Sequence, residues 1–239
     1  MLHAGLIKMK HINTQNEAFN TVANYILDPL LSPHKMKDYE TIKPPPEHIH
    51  EFNKALSNIA AYKKMPLQRL HTMSDGTITK EAAYYLYHLI RTQKPEIILE
   101  TGISYGFSTA IILSALNANK FGSLYSTDIH NEVGIMTWSV DKSRWHKCIG
   151  KPKTILKDTL KKIKKPIDMF LHDSDHSYAS MFYEYKTVFP YLSPTAYLMS
   201  DDVNDNSAFL DFCNKKELKP CAIYSSLKLF GVTRLAGQF

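Results

Sequence analysis

The sequence predicts an α/β protein with a doubly wound, mainly parallel sheet of seven strands, preceded by a helical extension. Two observations predict this class. Short β-rich segments alternate with helical segments from about residue 80 onward. Four of the predicted strands also end in acidic residues, and the carboxyl ends of parallel strands form the edge where such sheets bind ligands.

The first part of the chain, residues 1–75, is predicted to be a helical cap or lid region rather than an independent domain. Hydrophobic residues at helical spacing predict a first helix: Phe19, Val22, Ile26 and Leu30. The prolines of 44–46 then impose an extended break, and a second helix is predicted for Glu47–Lys64. The region could cover a substrate pocket or form an oligomer contact. Residues 76–239 form the main domain.

The composition is that of a soluble globular protein, with 44% hydrophobic and 22% charged residues among 239. No apolar run approaches the roughly 18 residues that a membrane span needs. The N-terminus lacks a signal-peptide layout, so we expect a cytoplasmic protein without a membrane partner. Three cysteines match no zinc-binding spacing and are expected to be reduced core thiols: Cys148, Cys213 and Cys221.

The net charge of +6 owes much to residues 151–165, which contain seven lysines. Such a run could attract the phosphates of a nucleic acid. A solvated helix face is the simpler interpretation, and no aromatic RNA-binding motif accompanies the lysines. We therefore expect no nucleic-acid partner.

The main domain is predicted to begin with a helix that Thr79 caps and Lys94-Pro95 ends. The predicted helices are Lys80–Arg91, Phe107–Asn119, Thr137–Cys148, His176–Pro190 and Ala208–Lys215. The predicted strands are Ile97–Leu99, Ser123–Thr127, Thr154–Leu156, Ile167–His172, Ala196–Ser200, Pro220–Tyr224 and Phe230–Leu235.

A glycine-rich turn follows the first strand. Glu100 ends that strand, Gly102 and Gly106 follow, and Ser108 and Thr109 open the next helix. This order brings backbone N–H groups and the positive end of a helix close to a ligand, and glycine is needed where a Cβ would block the approach. The pattern by itself also fits a tight turn without a ligand.

Two further acids are candidates for nucleotide contacts. Asp128 ends the second strand, where an acid accepts hydrogen bonds from ribose hydroxyls. Asp158 follows the predicted third strand and could either meet an adenine amino group or cap the next helix.

A second group of acids ends the fourth and fifth strands. Asp173, Asp201 and Asp202 offer hard oxygen ligands of the kind that Mg²⁺ prefers. His176 lies three residues after Asp173 and is placed to accept a proton. The alternative is that the acids only make hydrogen bonds.

Three neighbouring residues are expected to be structural. We predict that Asp175 caps the helix that begins near His176, and that His172 and Glu184 support the fold.

These motifs resemble those of a known enzyme family. The segment 100–109 looks like motif I of class I S-adenosylmethionine-dependent methyltransferases, and Asp128 matches their ribose-binding acid. Residues 167–178, with Leu192-Ser-Pro and Asp201-Asp202-Val203, resemble the branch of macrocin-type sugar O-methyltransferases. They are also similar to the cephalosporin-hydroxylase-like group and, more distantly, to catechol-type enzymes. The similarity covers roughly residues 76–235.

The resemblance implies a Rossmann-like fold, S-adenosylmethionine as cofactor, and Mg²⁺ or Mn²⁺ as metal. It implies His176 as general base with Asp173 as a second catalytic residue. The implied metal ligands are Asp173, Asp201 and Asp202. The implied cofactor-binding residues are Glu100, Thr101, Gly102, Ser104, Tyr105, Gly106, Ser108, Asp128, Ile129, Asp158 and Asp173.

The leading hypothesis is metal-assisted O-methylation of a small hydroxylated acceptor, a sugar or similar molecule, by a chain that could form homo-oligomers. A methyltransferase that needs no metal is one alternative. A non-catalytic nucleotide- or nucleic-acid-binding module is another. A nicotinamide-dependent oxidoreductase is disfavoured because the turn between Gly102 and Gly106 lacks the GxGxxG spacing.

Overall fold

The computed structural model describes residues 38–60, 77–225 and 228–236. The strands are β1 (Glu40–Thr41), β2 (Ile97–Thr101), β3 (Ser123–Asp128), β4 (Trp145–Ile149), β5 (Ile167–His172), β6 (Leu192–Ser200), β7 (Cys221–Tyr224) and β8 (Leu229–Arg234). The α-helices are α1 (Ile49–Ala60), α2 (Lys80–Gln93), α3 (Phe107–Asn119), α4 (Pro152–Lys162), α5 (Tyr178–Val188) and α6 (Ala208–Lys215). Two 3₁₀ helices span Ile135–Ser139 and Phe189–Tyr191.

The strands form one sheet in the order β1-β7-β8-β6-β5-β2-β3-β4. β8 runs antiparallel to β6 and β7, and the other neighbours are parallel. This confirms the predicted doubly wound, mainly parallel class. The sheet has eight strands rather than the seven predicted. Six of the predicted strands are present, and β1 and β4 lie in segments that were expected to be helical.

Helices cover both faces of the sheet, and the alternation of side chains along each strand divides the core in two. On β2, Ile98 packs with α1, α2 and α3, whereas Ile97 and Leu99 pack with α4, α5 and α6. Both faces of the central strands are therefore apolar, which explains their continuous hydrophobic runs.

The described part of the N-terminal extension packs against the main domain. Phe52 of α1 is fully buried, and its ring lies 5.2 Å from that of Tyr84 and 5.9 Å from that of Tyr87. The Arg91 guanidinium binds the Glu51 carboxylate at 2.6 Å. Thr79 caps α2 as predicted, accepting the Ala82 N–H at 3.3 Å. The helix predicted around Phe19–Leu30 and residues 61–64 of the second predicted helix lie outside the described residues.

The third predicted strand is wrong. Residues 154–156 belong to α4, which has a proline at its first position and buries Leu156 and Leu160 one turn apart. The segment predicted as helix Thr137–Cys148 holds instead a 3₁₀ helix and the edge strand β4. The lysine run misled the prediction, because its short apolar stretch fits either structure.

The lysines of residues 151–165 are all exposed, which agrees with the predicted solvated face. The cysteines are buried and free, as expected of core thiols. In the ranges that the structure describes, every helix is too short or too polar to cross a lipid bilayer.

Glu100 is a buried acid that holds β2, the glycine turn and α3 together through hydrogen bonds. Its carboxylate is fully buried and accepts hydrogen bonds from Ser108 at 2.6 Å, Thr109 at 2.8 Å and Ser126 at 2.7 Å. These bonds join β2 to the first turn of α3 and to β3. Burial raises the pKa of Glu100 to about 7, although the three hydroxyl donors act in the opposite direction.

The raised pKa of Glu100 predicts a specific pH dependence of stability. The unfolded state ionises above its ordinary pKa of 4.5, while the folded state holds its proton until about pH 7. The free energy of unfolding should therefore fall across this window by on the order of 3 kcal/mol.

Glu100→Gln cannot ionise and should lose this part of the slope in urea unfolding measured from pH 4 to pH 8. Glu132→Gln, at an exposed position, is the matched control and should show the same pH dependence of the free energy of unfolding as the wild-type protein. Equal slopes in the wild-type protein and Glu100→Gln would contradict the prediction.

Candidate functional site

Four parallel strands end in register at one edge of the sheet. The last paired residues form a row across β3, β2, β5 and β6: Thr127, Thr101, His172 and Ser200. The next residues continue the ladder, since the N–H groups of Gly102, Asp173 and Asp201 bind the carbonyls of the neighbouring strands at 2.9 to 3.0 Å. The sheet itself thus brings the predicted acids to one edge.

The glycine-rich turn lies directly against the end of β5. Gly102 and Gly106 have φ angles of 86° and 84°, and Ser104 between them has a φ of 47°. A Cβ on Gly102 would lie 1.9 Å from the carbonyl oxygen of Asp173, and one on Gly106 would lie 2.6 Å from the Cα of Gly134. Only glycine fits these positions, because the backbones meet without space for a side chain.

Asp128 holds the turn from the neighbouring strand. One carboxylate oxygen accepts the N–H groups of Ile103 at 2.8 Å and Ser104 at 3.0 Å, and the other accepts that of His130 at 2.9 Å. Burial alone would raise the pKa of Asp128, but the backbone donors together lower it. The carboxylate therefore stays charged beside the turn, with acceptor capacity left on the oxygen that faces His130.

Nine of the eleven predicted cofactor-binding residues fall into two groups, and Asp158 and Asp173 lie elsewhere. Gly102, Ser104, Tyr105, Asp128 and Ile129 lie in the turn or beside it and keep exposed surface, which for Ile129 amounts to 54% of the residue.

The second group lies under the turn. Gly106 and Ser108 are buried, Glu100 binds hydroxyls as described, and the Thr101 hydroxyl donates to Glu184 at 2.5 Å. These side chains shape the turn through hydrogen bonds within the fold, and their contact with the cofactor stays a prediction.

Asp158 does not follow a strand, contrary to its predicted position. It lies within α4, half exposed, and its carboxylate is 3.6 Å from the ammonium of Lys161 in the next turn. The adenine contact was predicted from a strand at Thr154–Leu156, which the structure does not contain. The strand that follows β3 is β4, and the segment after β4 begins at Gly150.

His176 lies between two acids. Its Nδ1 is 3.3 Å from Oδ2 of Asp202, and its Nε2 is 3.7 Å from Oδ1 of Asp173. Nε2 has no hydrogen-bond partner among the described residues. Burial would lower the pKa of His176, but the contact and charge of Asp202 outweigh it and raise the pKa.

A lysine that the sequence analysis missed lies among the acids. Nζ of Lys228, the residue before β8, is 2.9 Å from Oδ2 of Asp202 and 3.4 Å from Oδ2 of Asp201. No motif marks this residue, and 26 residues or more separate it from either acid. Only the antiparallel return of β8 beside β6 reveals it.

The acids differ in their electrostatics. Burial raises the pKa of Asp173, and the nearby charge of Asp201 raises it further. Burial likewise raises the pKa of Asp201 to about 6. Asp202 is the exception, because hydrogen bonds from His176 and Lys228 outweigh its burial and lower its pKa. Asp202 is thus the acid of the cluster whose ionised form is stabilised.

The predicted metal trio is not gathered around one point. In the described ranges, the acidic and histidine groups whose ligand atoms all lie within 4.8 Å of one another are His176, Asp202 and Asp205. Asp173 and Asp201 stand outside this group. The ammonium of Lys228 contacts Asp201 and Asp202 instead.

The residues predicted to be structural support the site. Glu184 binds His172 at 2.7 Å and Ser174 at 2.9 Å, in addition to Thr101, and so joins the ends of β2 and β5. Asp175 is not the helix cap: Ser177 accepts the Ser180 N–H and caps α5, while Asp175 binds Ser177 in the turn before it.

Two cavities lie away from this edge. One of about 490 Å³ lies between α1, α2 and α3, and one of about 330 Å³ lies near the start of β2. Neither contains the residues just described. Ligands of doubly wound sheets bind at the carboxyl ends of the strands, so the acid-rich edge is the candidate site.

Comparison with known proteins finds one matching family. Residues 99–203 match the family described as "Methyltransferase domain". No curated protein sequence matches the chain at a significant level.

Two solved structures illustrate the shared fold. One is the O-methyltransferase TomG from Streptomyces achromogenes, involved in tomaymycin synthesis and solved with SAM, at 16% identity and a TM-score of 0.58 over 78% of this chain and 90% of that chain. The other is the O-methyltransferase from Bacillus cereus solved with SAH, at 14% identity and a TM-score of 0.56 over 77% and 89%. Residues 99–203 thus resemble a methyltransferase domain, and the chain shares the fold of these two O-methyltransferases.

Proposed function

We propose that the protein transfers a methyl group from S-adenosylmethionine to a hydroxyl oxygen of a small-molecule acceptor. The observation that carries the proposal is the direct contact between the Gly102 turn and the Asp173 backbone. The contact brings the glycine turn next to the histidine-acid cluster, which supports a nucleoside site at the turn with the acceptor site beside it. Two reactants held at neighbouring sites react faster because their encounter no longer costs translational and rotational entropy.

The turn offers what the cofactor requires. Gly102 lets the turn lie against the end of β5, Asp128 offers a charged acceptor for ribose hydroxyls, and the exposed Ile129 offers an apolar surface for adenine. Bound S-adenosylmethionine supplies a methyl group activated by the sulfonium. The likeness to O-methyltransferases supports oxygen as the acceptor atom.

His176 is the proposed general base. Asp202 faces Nδ1, which orients the ring and leaves Nε2 for the proton of the acceptor hydroxyl. Asp173 lies next to Nε2 and is the second residue proposed to contact the acceptor. Because Nε2 is covered by surrounding atoms, the side chain must shift when the acceptor enters.

A divalent cation held by Asp173, Asp201 and Asp202 stays a prediction from the resemblance. The separation of these acids and the presence of Lys228 do not favour it. The proposed mechanism therefore takes no step through a metal.

Several other expectations also stay predictions. They are a lid function for residues 1–75, a sugar-like acceptor, a homo-oligomer, the absence of a nucleic-acid partner and a cytoplasmic location. A panel of hydroxylated compounds, assayed by release of S-adenosylhomocysteine, would identify the acceptor.

Asp128→Asn tests the cofactor site. The amide keeps the size of the side chain but removes its charge, so we expect S-adenosylhomocysteine to bind about tenfold more weakly in calorimetry. Asp141→Asn is the control, since Asp141 accepts hydrogen bonds from Ser143 in a comparable turn away from the site. Unchanged affinity in Asp128→Asn would place the ribose elsewhere.

His176→Ala tests the base. Turnover of any acceptor that the wild-type protein methylates should fall by roughly 10²–10⁴, whereas cofactor affinity should stay the same. His146→Ala, at an exposed ring on β4, is the control for loss of a histidine. Full activity in His176→Ala would exclude a role as base.

Asp202→Asn tests the link between Asp202 and the base. A base acts only when unprotonated, so turnover should fall as the pH drops through the pKa of His176. Removing the Asp202 charge should lower that pKa and move the acidic limb of the pH profile to lower pH. Asparagine tolerates the φ of 50° that Asp202 adopts. The exposed control Asp141→Asn, away from the site, should leave the acidic limb in place. An unchanged limb in Asp202→Asn as well would show that Asp202 does not act on the base.

A further inference from the structure

We propose that the ammonium of Lys228 takes the place of a divalent cation in the acid cluster, so that methyl transfer by this chain does not depend on a metal. The inference deepens the proposed function and rests on it. Its starting point is a disagreement: the resemblance implies a metal among Asp173, Asp201 and Asp202, and the structure places a lysine there.

The lysine is held in the cluster by its backbone. Its neighbour Leu229 donates its N–H to Asn204 at 2.9 Å, and the Leu229 carbonyl accepts the N–H of Val203 at 3.1 Å. These bonds join the start of β8 to the two residues that follow Asp202. The junction thus fixes the backbone position from which the Lys228 side chain reaches the acids.

The side chains around the ammonium are largely shielded from water. The side chain of Lys228 is 19% exposed, that of Asp202 is 13% exposed and that of Asp201 is 2% exposed. Charges in such surroundings interact more strongly than on an open surface. The ammonium of Lys228 would therefore repel a divalent cation from the carboxylates of Asp201 and Asp202.

The charge of Lys228 is itself stable. Burial would lower the pKa of Lys228, but the attraction of Asp201 and Asp202 outweighs it and raises the pKa. The ammonium thus stays protonated while His176 titrates. It balances the negative charge of the cluster throughout the reaction.

Lys228 also acts on the base through Asp202. Both Nζ of Lys228 and Nδ1 of His176 contact Oδ2 of Asp202, at 2.9 Å and 3.3 Å. Lys228 is therefore a positioning residue: it fixes the carboxylate that orients the histidine. A metal bound to that oxygen would compete with the histidine for it.

The test measures Mn²⁺ binding by electron paramagnetic resonance, with S-adenosylhomocysteine present. The wild-type protein should show no saturable binding below about 1 mM Mn²⁺. Lys228→Gln removes the positive charge from the acids, and we expect it to bind Mn²⁺ at least about tenfold more tightly. Lys228→Arg keeps the charge and should exclude Mn²⁺ as the wild-type protein does. Lys161→Ala, at an exposed helical lysine, should match the wild-type protein.

A pH profile separates this role from a merely structural one. Without the opposing charge of Lys228, the pKa of His176 should rise and the acidic limb of Lys228→Gln should move to higher pH, with Lys228→Arg restoring the wild-type limb. EDTA should leave wild-type turnover unchanged.

Stoichiometric Mn²⁺ binding by the wild-type protein, or loss of its turnover in EDTA, would overturn the inference. The wild-type measurements decide the matter even if Lys228→Gln fails to fold. Calorimetry with S-adenosylhomocysteine tests the proposed function separately, because cofactor binding does not involve Lys228.

Discussion

The whole site depends on one close approach of backbones, that of Gly102 to Asp173 and Ser174 at the ends of two adjacent strands. No side chain fits between them, and the left-handed conformation of Gly102 turns the chain away from the sheet at that point. The contact sets the distance between the Asp128-bound turn and the His176 cluster. Because each part is hydrogen-bonded to its own strand, the sheet fixes their relation rigidly.

Below this contact, buried polar groups replace the apolar packing found elsewhere in the core. Glu100 collects three hydroxyls under the turn, and Glu184 joins Thr101, His172 and Ser174. Buried polar groups are costly unless they are paired, and these carboxylates pair with donors from several elements at once. The result is a network of buried hydrogen bonds that holds the strand ends in one arrangement.

The acids at the edge are not equivalent, although the sequence presents them as a uniform set. Asp128 is satisfied by backbone donors, the pKa values of Asp173 and Asp201 are raised chiefly by their loss of contact with water, and Asp202 is shared by a histidine and a lysine. Crowded carboxylates require a cation, and the fold supplies one from its antiparallel strand. This distribution of charge, more than the number of acids, governs the chemistry that the edge supports.

The sequence by itself determined the parallel α/β class, the glycine turn and the placement of acids at strand ends, because these depend on local periodicity and on residues close together in the chain. It misassigned the third strand, since a short apolar stretch between lysines fits a strand or a helix until packing selects one. The position of Lys228 among the acids and the hydrogen bonds around Glu184 depend on the tertiary structure alone. Their partners are distant in sequence, and only the pairing of strands brings them together.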